Sequence, residues 1–220
     1  MSAILIYDAQ NAEYLLQPLG YVILTALLLA LLACIFLFAG KQNSKRLEAK
    51  ELVFCAMAIA LSTATSFIKF AKLPYGGSAT LFSMLFVSLT GYFYGPKTGL
   101  TAGVSYGILQ LIIDPYIYAP LQVLFDYPLA FGALGLSGFF HNRKHGLVTG
   151  YAIGVIGRYL FHVISGYVFF AAYAPEGMNP LIYTLGYNLT YILPELIITA
   201  VLLSLPAVKK AIGQVKRQAN

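Results

Sequence analysis

The chain has no tryptophan, only two cysteines and only eight carboxylate side chains among its 220 residues. Each shortage removes a class of explanation. Cys34 and Cys55 lie inside apolar stretches without metal-ligand spacing, which excludes a disulfide framework and a zinc site. Charged residues make up 10% of the chain, against roughly 25% in an average soluble domain, so a water-surrounded globule is excluded. There is no GxxxxGK[ST] phosphate loop, which rules out ATP hydrolysis through that motif. HExxH and GxSxG are missing too, and no internal repeat is visible, so neither a nucleophile with its base nor a duplicated carrier is indicated. No catalytic residue, metal or cofactor is expected.

What is present is apolar: 59% of residues are hydrophobic and the mean hydropathy is +0.76, the composition of a polytopic membrane protein. A net charge of +6 does not point to nucleic acid, because the basic residues fall in short clusters between apolar runs. Seven stretches approach the ~20 residues needed to cross a bilayer. They lie near 21–39, 51–70, 78–94, 98–113, 119–140, 147–171 and 182–205. Eleven of the fourteen Lys and Arg residues fall in alternate loops or after the last stretch, against Lys69 and Lys72 on the other side and Arg158 within a span. The positive-inside rule therefore puts the C-terminus in the cytoplasm and, with seven spans, the N-terminus outside. Residues 1–19 lack a basic region and carry Asp8 and Glu13, so the leading span does not read as a cleaved signal.

Small residues recur every fourth position at Ala56, Ala60 and Ala64, at Gly99, Gly103 and Gly107, and at Gly146, Gly150 and Gly154. Such stripes let helices approach closely in lipid. The glycine stripes read as internal packing; the alanine stripe is divided evenly between that and an intersubunit contact. A helix rise of 1.5 Å per residue then assigns depths. Asp126, His162 and Asn188 fall about 10–14 Å below the outer face, in one layer. Arg158 and Glu195 fall about 20 Å down, where they are expected to form a structural ion pair. Asp126 is left without a protein cation, which makes a positively charged ligand its expected partner. Tyr127 adjoins it, Gln122 lies one turn outward on the same face, and Phe169, Phe170, Tyr173, Tyr183 and Tyr187 gather at the outer ends of the last two spans. A carboxylate among aromatic faces suits a flat organic cation. NLT at 188–190 matches a glycosylation acceptor but lies at membrane depth.

The stretches KLPYGGSATLFSM, GPKTGLTAGVSYGILQLI, QVLFDYPLAF, RYLFHVISGYVFF and YTLGYNLTYILPE, collinear over about 50–205, resemble the thiamine-specific substrate-binding components of energy-coupling factor transporters, bacterial vitamin uptake systems. The resemblance implies an all-α, six-helix membrane core over 47–208 that binds thiamine from outside, with no chemistry of its own. Residues 1–46 would be an outer segment, an extra transmembrane helix and a basic loop, and 209–220 a basic cytoplasmic tail. The implied partners are a transmembrane coupling subunit and two cytoplasmic ATPases, in a bacterial cell membrane. Asp126 and Tyr127 look like the family's acidic and tyrosine pair, His162 like its histidine, Tyr183 and Asn188 like its tyrosine and asparagine, and Ala56, Ala60 and Ala64 like its surface for the coupling subunit. The family's pocket tryptophans have no counterpart; Phe170 and Tyr75 stand where such rings are expected. The 74–78 loop is the expected lid. Two rival functions use the same residues: a stand-alone proton-coupled carrier of an organic cation, or an embedded enzyme, with Asp126 and His162 as relay or as acid and base. A third is a sister component for another vitamin.

Overall fold

The computed structural model describes residues 5–8, 13–16, 18–19, 22, 26, 48–73 and 77–219. The leading helix expected over 21–39 lies almost wholly outside the described residues. Two strands near the start, β1 (Leu5–Asp8) and β2 (Glu13–Leu16), pair antiparallel. The core follows: α1 (Ala49–Ser66), a hairpin of β3 (Lys69–Lys72) and β4 (Ser78–Thr80), α2 (Ser83–Tyr94), α3 (Pro96–Ile113), α4 (Pro120–Phe140), α5 (Gly146–Phe169), α6 (Pro180–Ser204) and α7 (Pro206–Ala219). Among the described residues, α1, α4, α5 and α6 are long and apolar enough to cross a membrane.

The helix α4 is the axis of the bundle. It is 61% buried, against 28% or less for the other three long helices, because α2, α3 and α5 all pack on it. The glycines of its neighbours make this possible. A Cβ on Gly103 would stand 2.5 Å from the Phe131 carbonyl oxygen, and one on Gly107 would stand 2.5 Å from that of Tyr127. On Gly150 and Gly154 of α5 a Cβ would stand 2.9 Å from the carbonyl oxygens of Ser137 and Leu134. Both glycine stripes therefore serve packing inside the bundle. Ala56, Ala60 and Ala64, by contrast, are exposed along the outer face of α1.

α4 is not uniform. Phe125–Leu129 forms a widened π turn around Pro128, and Ala133–Phe140 tightens into a 3-10 helix. Pro128 has no N–H to give to the regular ladder, and π turns of this kind recur at functional positions. Asp126 and Tyr127 sit in that turn.

The expected span 78–94 departs from the sequence reading in an informative way. Its first residues are strand and turn, and α2 begins only at Ser83, leaving a 12-residue helix of about 18 Å. A helix that starts inside the bundle exposes free N–H groups where water is absent, and these must be satisfied by protein. Glu195 does so. Its Oε1 accepts from the backbone N–H of Met84 at 2.9 Å and from the Ser83 hydroxyl at 3.3 Å, and its Oε2 accepts from the Thr80 hydroxyl at 2.7 Å. A carboxylate at a helix N-terminus also meets the positive end of the helix dipole. The fixed junction holds Phe82 in the left-handed region at φ 59°, a conformation that costs a non-glycine residue about 1–2 kcal/mol.

The expected ion pair between Arg158 and Glu195 is not made; no contact within salt-bridge range joins them among the described residues. Depth along a helix says nothing of azimuth, and the N-terminus of α2 with two hydroxyls takes the carboxylate instead. Arg158 turns the other way, placing its guanidinium 4.2 Å from the centre of the Phe131 ring.

The closeness of α3 to α4 generates a test. Gly103→Val should overpack the interface and lower thermal stability in detergent by about 1–3 kcal/mol. Gly186→Ala on α6, where a Cβ meets nothing within 4 Å, should be neutral or slightly stabilising. Thermal unfolding followed by circular dichroism checks both; equal melting of Gly103→Val and the unmodified chain contradicts the packing account.

Candidate functional site: an aromatic cavity around Asp126

Between the hairpin, the end of α3 and the upper halves of α4, α5 and α6 lies a cavity of about 150 Å³. Gln122, Asp126, Tyr127, His162, Phe170, Tyr183 and Asn188, seven of the eight residues expected to bind the ligand, line it, as do Tyr173 and Tyr187. Tyr75, the eighth, and residues 74–76 of the expected lid lie outside the described residues. Phe169 points away, into an apolar cluster with Leu121, Phe125 and Leu129.

A chain of hydrogen bonds organises the charge. Asp126 Oδ2 accepts from Gln122 Nε2 at 2.6 Å, and Oδ1 lies 3.1 Å from His162 Nδ1. Arg158 Nε–H, one helical turn below, donates to His162 Nε2 at 3.2 Å. An accepting Nε2 leaves the imidazole proton on Nδ1, so the pattern assigns a neutral His162 that donates to an ionised Asp126. Arg158 is thus the counter-charge of Asp126 at one remove. This corrects the expectation that Asp126 has no protein cation: i, i+4 spacing on α5 stacks Arg158 under His162, a relation legible in the sequence once the Glu195 pairing is set aside.

Other polar residues at the wall are engaged in holding it. Gln122 is 1% exposed; besides Asp126 it bonds the Tyr116 carbonyl and accepts from the Tyr118 N–H. The Tyr127 hydroxyl accepts from the Tyr116 N–H at 2.7 Å and donates to the Asp114 carbonyl at 3.1 Å. Both tie α4 to the 114–118 loop. Asn188 joins α5 to α6, donating to the carbonyls of Thr184 and His162 and accepting from the Tyr191 hydroxyl. Gln122, Tyr127 and Asn188 therefore position the wall, while the two Asp126 oxygens retain lone pairs beyond the bonds they already accept.

Aromatic rings supply two walls. Tyr183, Tyr187 and Tyr191 run up one face of α6 at i, i+4, i+8, with ring centres about 6 Å apart. Phe170 stacks on Tyr173 at 5.9 Å and leans on Tyr116 and Tyr118. Tyr191 meets His162 edge-on at 6.1 Å. Tyr106, Tyr116, Phe131 and Tyr191 were missed as lining residues from the sequence. The four-residue spacing of the α6 tyrosines was the available signal for Tyr191; nothing local marks Tyr106 or Phe131, which arrive through the glycine-mediated approach of α3 to α4.

The rim is latched. Lys69 Nζ of β3 meets Asp114 Oδ2 at 2.5 Å, and the Gly77 N–H donates to the Tyr187 hydroxyl at 3.1 Å. A Cβ at Gly77 would stand 2.7 Å from that hydroxyl and 3.0 Å from the Tyr191 ring, so a larger residue here would have to push those side chains aside. The Lys69 hydrogen bond holds the Asp114 carboxyl below the usual carboxylate range.

Comparison with known proteins agrees with this architecture. A family model described as thiamine transporter protein (Thia_YuaJ) matches residues 52–213. The chain is 38% identical over 178 residues to the thiamine transporter ThiT of Bacillus subtilis, covering 72% of this chain and 92% of that protein. It is 31% identical over 165 residues to the ThiT of Lacticaseibacillus paracasei, covering 67% and 79%. A solved structure of ThiT from Listeria monocytogenes superposes with a TM-score of 0.60 at 25% identity, over 72% of this chain and 96% of that one. The 52–213 match and the shared helical fold leave one conclusion: this bacterial multi-pass membrane chain belongs to the thiamine transporter protein family.

Proposed function

We propose that this chain captures thiamine from the extracellular side, as the substrate-binding component of an energy-coupling factor transporter. The observation that carries the reading is an ionised carboxylate in an aromatic cavity whose balancing cation, Arg158, stands behind a neutral imidazole. A monocation with two flat rings fits such a site: Asp126 attracts its charge or accepts from its amino group, while Phe170, Tyr183 and His162 offer ring faces. Asn188, Tyr127 and Gln122 hold these groups in place. Tyr75 belongs to the proposed set through the resemblance alone. The hairpin carrying Lys69–Lys72 and Ser78–Thr80 covers the mouth, and the excess of Lys and Arg at the other end supports placing the mouth outside. The chain carries no phosphate loop, and in the proposed reading release is driven by partner ATPases through a coupling subunit. The exposed stripe of Ala56, Ala60 and Ala64 is the surface proposed to meet that subunit.

A proton-coupled carrier acting alone would draw on the same contact between His162 and Asp126. Uptake by proteoliposomes holding only this chain, driven by a pH gradient without ATP, would favour it.

The ligand assignment is tested by denaturing the purified protein and identifying the released small molecule by mass spectrometry. Thiamine should be released from the unmodified chain and absent from Asp126→Ala. Calorimetry should show the variant binding about 10- to 100-fold more weakly, the range of one or two lost charge-assisted hydrogen bonds. Unchanged affinity would sink the assignment.

The latch gives a pH prediction. Because the Asp114 carboxyl titrates below its ordinary value, the contact with Lys69 is complete above about pH 4 and is lost as pH falls through the lowered value. Hydrogen exchange of the Lys69–Lys72 amides, corrected for intrinsic rates, should be flat from about pH 8 to 5 and rise only below about pH 4. Asp114→Asn should raise it at neutral pH; a transition near pH 6 in the unmodified chain contradicts the assignment.

A further inference from the structure

The basic segment after the last span is a helix with its own geometry. The chain turns at Leu205, whose ψ of 130° ends α6, and α7 runs from Pro206 to Ala219, about 21 Å. Its far end is fixed to other helices. Lys216 Nζ donates to the His141 carbonyl just after α4 and sits 3.9 Å from the centre of the Tyr92 ring on α2, while the Tyr94 hydroxyl reaches the Ala219 carbonyl at 3.5 Å. Starting under α6 and ending under α2 and α4, α7 lies across the end of the bundle. Val208 and Ile212 face inward against the core. Lys209, Lys210, Gln214 and Arg217 are exposed on the other side, and Leu205 and Val215 remain partly exposed at the flanks.

Charge at this end is one-sided. Lys50, Lys97, Arg143, Lys144, Lys209, Lys210 and Arg217 are all exposed, and the described carboxylates there are Glu48 and Glu51 at the start of α1. Glu51 is turned back onto the Glu48 N–H in a capping box. Among the described residues no ion pair engages Lys209, Lys210 or Arg217. An amphipathic helix that crosses the ends of membrane-spanning helices lies at the height of the lipid headgroups, where its polar face meets phosphate and its apolar flank meets acyl chains.

We propose that α7 is an interfacial helix that binds anionic phospholipid headgroups through Lys209, Lys210 and Arg217, with Lys216 fastening it to the ends of α2 and α4. Anionic lipid is favoured over a protein partner because these three exposed cations lack ion-pair partners among the described residues and project from a helix that crosses the ends of the spans, the height at which headgroup phosphates stand. The proposal holds whichever leaflet this end occupies.

The absence of tryptophan provides a clean reporter. Gln214→Trp places one indole on the exposed face, a turn from Lys210 and Arg217. In bilayers mixing phosphatidylglycerol with phosphatidylcholine, emission should be quenched about two- to five-fold more by brominated phosphatidylglycerol than by brominated phosphatidylcholine at equal fraction, and the preference should shrink in high salt. Changing Lys209, Lys210 and Arg217 together to glutamine should abolish the preference while calorimetric thiamine binding, which tracks folding, is retained. Equal quenching by the two lipids, or a preference that survives the triple change, overturns the proposal. So does emission that ignores lipid type and shifts only when coupling subunits are added, which would point to a protein contact.

Discussion

The hydrogen bond from Arg158 to the far nitrogen of His162 decides what kind of cavity this is. It fixes the proton of His162 on the nitrogen that faces Asp126, so the carboxylate accepts from a neutral imidazole and is not closed off by a cation in direct contact. A direct Arg–Asp pair would have satisfied the site internally and left little for a ligand to do. A bare carboxylate at this depth would have had no protein charge near it to balance its own. The neutral imidazole between them avoids both outcomes.

The arrangement depends on a second carboxylate being occupied elsewhere. Glu195 belongs to the N-terminus of α2 and to the hydroxyls of Thr80 and Ser83, which frees Arg158 to rise toward His162. The same contact lets α2 begin inside the bundle, and that short start makes room for the hairpin to descend along the cavity. In a bilayer, irregular backbone is tolerated only where protein or a cavity satisfies it, and here both do. Site and fold are thus coupled through one glutamate that does not line the cavity.

Much of this could be read from the sequence, and the limits have physical causes. Period and rise placed Asp126, His162 and Asn188 at one level, because an α-helix converts residue number into depth without further information. The glycine stripes of α3 and α5 announced close packing, since few other uses exist for small residues every fourth position in lipid. Pairing Arg158 with Glu195 went wrong because depth lacks the angular coordinate, and because the competitor for Glu195 was a helix start at Ser83 that hydropathy had smoothed into a longer span. The roles of Gln122 and Tyr127 in holding the 114–118 loop were hidden for a similar reason: their partners are backbone groups, which carry no sequence signature. α7 was seen only as a basic tail, although Pro206 just after the last span and the alternation of Val208 and Ile212 with Lys209 and Lys210 marked a new amphipathic helix.

Through His162 and Asp126, Arg158 is proposed to act on the ligand. A double-mutant cycle with Arg158→Gln and Asp126→Asn, read by thiamine calorimetry, measures that coupling directly. In the unmodified background Arg158→Gln should weaken binding about ten-fold, the equivalent of roughly 1.4 kcal/mol, and in the Asp126→Asn background it should change affinity less than about two-fold. Equal losses in the two backgrounds would mean that the chain of hydrogen bonds does not carry the charge of the site.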